Sequence, residues 1–108
     1  MNIINKTNRQ LKILKVNSEG GFLVLEASET PTITNSFEEV SHIDDIEIRT
    51  DTTTLENVPE VIEGTIYIVE RDIKMYLLDR DDIYYPSRDI RDSEGKYLYT
   101  EYLTNIKL

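Results

Sequence analysis

The chain has 108 residues, 39% hydrophobic and 31% charged, with a net charge of −9. That is enough for one domain around one core, residues 1–108, and too little for two. The acid excess argues against direct nucleic-acid binding, which rests on surplus Lys and Arg. The absence of cysteine removes disulfides, thiolate metal sites and thiol nucleophiles.

Met1–Thr7 has no basic start leading into an apolar run, so no signal peptide is expected. No stretch approaches the ~20 apolar residues of a membrane helix. These features fit a cytoplasmic setting without a membrane partner. Leu11–Val16 reads as a strand, and Phe22–Leu25 as its hairpin partner across the turn residues Asn17-Ser18-Glu19-Gly20-Gly21. Ala27–Ser41, polar and interrupted by Pro31, reads as a long loop. Ile46-Glu47-Ile48-Arg49-Thr50 alternates with period two, the mark of a half-buried strand. Asp51–Glu63 reads as a polar connection.

Gly64 then introduces the strand Thr65–Val69, rich in β-branched and aromatic residues. From Arg71 the period changes. Ile73, Tyr76 and Leu77 fall at i, i+3 and i+4, predicting a short helix over about 71–78 with one face on the sheet. Ile83-Tyr84-Tyr85 and a terminal strand from Lys96 to about Leu103 follow, separated by the turn Asp92-Ser93-Glu94-Gly95. The expected fold is therefore β-rich α+β: a small antiparallel sheet built from hairpins, with one short helix.

All seven tyrosines lie between Tyr67 and Tyr102, with Arg71, Arg80, Arg88 and Arg91, each followed by an aspartate. Tyrosine offers an apolar face with a polar tip, and arginine a rigid fork that grips anions. This makes the window the candidate recognition surface. Tyr84, Tyr85, Tyr97 and Tyr99 could stack on a base or on a protein, or else fill the core; alternation places Tyr97 and Tyr99 on one strand face. The acidity lies elsewhere: Glu47 to Glu63 holds five acids against Arg49 alone.

From Val58-Pro59 through Gly64-Thr65-Ile66-Tyr67-Ile68-Val69, Arg80-Asp81-Asp82 with Pro86, and Arg91-Asp92 with Gly95, the chain resembles a family of small bacteriophage and prophage proteins. It departs from that pattern at Glu70, at Lys74-Met75-Tyr76 and at Tyr84-Tyr85. The resemblance singles out Arg80, Asp82, Arg91 and Asp92 above Arg71 and Arg88. It implies an accessory protein acting in the host cytoplasm during infection.

No nucleophile elbow, phosphate-binding glycine loop or metal-ligand spacing is present, so neither catalysis nor a metal or cofactor is expected. Three functions follow. The first is a counter-defence factor that sequesters a nucleotide-type immune signal, with Arg80 and Arg91 on phosphate, Asp82 and Asp92 beside them, and Tyr84 and Tyr85 on the base. The second is an acidic inhibitor that caps a host defence nuclease or NADase. The third is a minor structural or assembly protein of a phage particle, forming a homo-oligomer through sheet edges.

Overall fold

The computed structural model describes residues 1–17 and 19–106, without the side chains of residues 37–39. The strands are β1 (Asn2–Asn5), β2 (Leu11–Leu14), β3 (Phe22–Leu25), β4 (Thr32–Ile43), β5 (Ile46–Glu56), β6 (Thr65–Ile68), β7 (Ile83–Arg91) and β8 (Tyr97–Thr104). A single turn of helix, α1 (Arg71–Lys74), follows β6. The β-rich α+β class with a short helix is as expected. The helical stretch runs on beyond α1 as i→i+3 turns, with the Tyr76 amide on the Ile73 carbonyl and Leu77 on Lys74.

Six strands form one sheet in the order β1-β6-β7-β8-β2-β3, while β4 and β5 form a separate two-stranded ribbon. Hairpin pairing joins β2 to β3 and β7 to β8 in antiparallel fashion. The junctions β1-β6, β6-β7 and β2-β8 are parallel. Their partners come from distant parts of the chain, so no local turn chemistry announces them.

Tyr67 and Ile68 are consecutive in β6, so they point to opposite faces of the sheet. Tyr67 joins Val69, Ile73, Leu77 and Ile83 in one cluster, which α1 and the root of the ribbon cover. Ile68 joins Leu11 and Ile13 in a second, flanked by Leu25 and Leu103. A strand buried on both faces reads as a continuous apolar run, which explains why Thr65–Val69 stood out in the sequence. The sheet curls so that its edges meet at one end. There the Asn5 side-chain Nδ2 donates to the Leu25 carbonyl at 3.1 Å, and the Ser28 hydroxyl donates to the Asn5 backbone carbonyl.

The principal departure from the sequence reading is the ribbon. Ala27–Ser41, expected to be a loop, contains most of β4, and Asp51–Glu56, expected to be a connection, completes β5. Both look like loops because their alternation is weak: nearly every described side chain of the ribbon is exposed. Among the described side chains of the ribbon, Ile33 and Leu55, paired at its root, pack on the core.

Candidate functional site

The four residues singled out by the family pattern hold the backbone in place. Arg80 Nε and Nη2 donate to Asp82 Oδ1 and Oδ2, both at 2.8 Å, and Nη2 also reaches the Pro59 carbonyl at 3.0 Å. This bidentate grip pins the 57–63 connection to the start of β7. The Arg80 hydrogen bond holds the Asp82 carboxyl below its usual range, against the opposing effect of burial. At the far end of β7, Asp92 Oδ1 accepts the Glu94 and Lys96 amides, both at 2.9 Å, closing the hairpin turn. Arg91 Nη1 donates to the Gly95 carbonyl at 3.2 Å and Nη2 lies 3.8 Å from Asp89.

Arg80 stands before the start of β7 and Arg91 is its last residue, so the two lie toward opposite ends of the strand. No single phosphate could be held by both. Arg80 pairs with Asp82 within the turn before β7, while on β7 Arg91 lies beside Asp89 and Arg88 reaches across to Glu101 on β8.

The tyrosines are likewise divided. Tyr84 and Tyr85, both half-buried, are neighbours on β7 and point apart, with the Arg71 guanidinium 5.9 Å from the Tyr85 ring. Tyr97 and Tyr99 do not share a face, because the β7–β8 register slips between Ile90 and Arg91. Tyr97 therefore lies opposite Arg91, and Tyr99 opposite Ile90. Tyr99 packs on Phe22 at 5.1 Å between centroids. The Tyr97 hydroxyl accepts the Lys12 amide at 3.1 Å and donates to the Lys12 carbonyl at 3.2 Å. It thereby extends the β2–β8 junction, which has one registered pair, Ile13 with Thr100.

A polar cluster that sequence reasoning missed lies beside Tyr97. Arg9 donates to Glu70 at 3.0 Å, lies 3.2 Å from Asp89, and covers the Tyr97 ring at 5.2 Å. Asp89 also accepts from the buried Thr100 hydroxyl at 2.9 Å. Burial works against the Arg9 charge, yet the hydrogen bond and charges of Glu70 and Asp89 raise its pKa. These partners are 61 and 80 positions away in the chain, so no local motif marks them. The cluster latches the β1–β2 loop across the sheet. Beyond Glu70, a groove of about 290 Å³ lies between Asn8, Thr30, Ile33 and Asp72 at the ribbon root. Among the described residues, no group of three His, Asp or Glu is placed to hold a metal ion.

The surface with the clearest chemical character is the ribbon itself. Its tip is the two-residue turn Asp44-Asp45, with φ of 48° and 67°, between the paired residues Ile43 and Ile46. Two positive φ values are the mark of a type I′ turn, whose twist matches that of the flanking strands. Asp tolerates that region better than most residues, and the turn places two carboxylates at the far end. Between Thr32 and Glu56 the sequence holds seven acids against Arg49 alone, leaving fourteen acids and eleven bases elsewhere. Six of the nine net negative charges thus belong to this projection.

Apolar side chains sit beside that charge: Ile43 and Ile46 are each 62% exposed, and Val40 and Ile48 are also open. Period-two alternation was visible in Ile46–Thr50, but it does not here mark a face buried on the core.

Comparison with family models, curated proteins and solved structures finds no match to this chain.

Proposed function

We propose that this chain is a non-enzymatic binding protein whose acidic β-arm docks into a basic groove on a partner protein. The observation that carries this reading is the concentration of six net negative charges on a projecting two-stranded ribbon. Dispersed acidity would serve solubility alone, whereas acidity gathered on an arm gives a directed field that steers encounter with a basic surface. A two-stranded ribbon also has the width that a nucleic-acid groove admits, and it suits a comparably narrow protein cleft. Exposed isoleucines beside the carboxylates supply the apolar contact that charge alone lacks.

The resemblance to phage proteins sets this interaction in an infected host cell, where the partner is a defence nuclease or another protein that grips nucleic acid. The arm then caps its cleft. The spacing of Arg80 and Arg91 gives no comparable support to nucleotide sequestration.

The test starts with a partner that co-purifies from host cells and is identified by mass spectrometry. Its affinity is measured by calorimetry for the native chain and for a variant with D44N, D45N, E47Q and D51N. The expected result is a loss of about tenfold or more in the variant, and weakening of the native complex as salt rises. Equal affinity of both chains, or indifference to salt, would overturn the reading.

A further inference from the structure

The groove at the root of the arm is built from three segments far apart in the chain. Asn8 comes from the β1–β2 loop, Pro31 and Ile33 from the entry to β4, and Glu70, Asp72 and Ile73 from the start of α1. Its volume of about 290 Å³ is near the ~300 Å³ lower end of cavities that take ligands. That space suits a single side chain better than a cofactor. Pro31 and Ile73 are buried and Ile33 half-buried, so part of the wall is apolar and fixed.

The charged groups that line the groove, Glu70 and Asp72, are both carboxylates. They differ in how they are compensated. Glu70 accepts from Arg9 at 3.0 Å, and Arg9 is shared in turn with Asp89 at 3.2 Å, so no surplus positive charge comes from that side. Asp72 Oδ1 accepts the Ile73 amide at 2.9 Å, which orients the carboxylate, and among the described residues no cation pairs with it. The adjacent Arg71 lies instead over the Tyr85 ring. The groove therefore joins an apolar wall to a carboxylate without a counter-ion, beside an arm that adds further negative charge.

We infer that this groove receives an arginine side chain of the partner protein while the arm lies in the partner's cleft. The identity of the partner rests on the proposed function, whereas the chemistry of the occupant rests on the groove alone. Charge complementarity rules out an acidic occupant and favours a cation. Among cations, a guanidinium is more weakly hydrated than an ammonium and presents a planar fork suited to carboxylates. Its alkyl stem lies along Pro31, Ile33 and Ile73 while the head reaches Asp72. The contact at the root adds geometric register to the field of the arm, which by itself steers without fixing position.

The test uses a blocked tripeptide, acetyl-Gly-Arg-Gly-amide, with the same peptide carrying neutral citrulline as control. Each is titrated into isotopically labelled native chain and into D72N, and backbone amide shifts are followed by NMR. Asparagine keeps the oxygen that accepts the Ile73 amide, so D72N removes the charge and leaves that bond. The expected result is saturable movement of the Thr32, Ile33 and Ile73 amides with the arginine peptide, and none with citrulline. Binding should weaken about threefold or more in D72N, and so should the complex with the co-purified partner. The peptide titration needs no partner, and it is repeated on the chain carrying D44N, D45N, E47Q and D51N. Failure of the arm to matter for the partner is thereby separated from failure of the groove. Absence of saturable shifts at these amides, or equal binding by D72N, would overturn the inference. So would a partner complex unchanged by D72N, which would assign the groove to a free cation rather than to the partner's arginine.

Discussion

At the scale of single residues, Arg80, Arg91 and Tyr97, which look like part of a ligand-binding set, are engaged in holding the chain to itself. Arg80 illustrates this most directly, since one guanidinium secures Asp82 twice and the Pro59 carbonyl once. Replacing it with alanine is expected to cost about 2 kcal/mol in urea unfolding, from the loss of charge-assisted hydrogen bonds in a largely covered setting. The pH dependence has a definite sign. Asp82 has a lowered pKa in the fold, so its contribution is full above the ordinary aspartate range and disappears as pH falls through the lowered value. The stability difference between the native chain and R80A should therefore shrink in acid, and a gap that persists there would point to packing instead. Tyr97→Phe should cost about 1–2 kcal/mol, because its hydroxyl serves both the amide and the carbonyl of Lys12.

The scale of elements separates what local pattern can reveal from what it cannot. The Leu11–Leu25 hairpin and the buried β6 were legible, because turn residues and a two-sided apolar run announce them. The ribbon was half legible. Ile46–Thr50 alternates clearly, but Thr-rich Asp51–Glu56 and polar β4 lack the hydrophobic rhythm that a core imposes. The slip between Ile90 and Arg91 was invisible, and it alone sends Tyr97 and Tyr99 to different faces. Two predictions belong here. Asp45→Gly relieves a non-glycine residue at φ 67°, and should stabilise the arm hairpin by up to ~1 kcal/mol, read from amide exchange protection along β4 and β5. Replacing residues 36–52 by a two-residue turn should leave thermal unfolding of the body within a few degrees of native, because Ile33 and Leu55 remain on the core. Collapse of the body on that excision would show that the arm is structurally required.

The whole molecule is elongated, 63 × 40 × 26 Å, with a Cα radius of gyration of 17.9 Å. A compact domain of this length would have a radius of ~13 Å. The excess comes from an arm that carries most of the charge on little of the mass. Small-angle scattering on the dilute protein should return an extended profile near the larger value, and the arm excision should bring it close to the smaller. If both chains scattered alike, the arm would lie folded against the body. An acidic arm that projects from the body gives the directed field on which the proposed docking into a basic groove rests.

The sequence by itself determined the β-rich class, the single short helix and the local hairpins, since turn chemistry and apolar periodicity act over a few residues. It also showed acid gathered over Glu47–Glu63, which overlaps the arm at Glu47, Asp51 and Glu56, because charge is counted without knowing the fold. Only the tertiary structure decided where that acid would stand. Whether Thr32–Glu56 wraps the core or leaves it depends on partners far away in the chain, and among the described residues of the ribbon it is Ile33 and Leu55 that pack on the core. Long-range closure likewise turned Arg80 and Arg91 from a candidate pair into two separate clasps, because one precedes β7 and the other ends it.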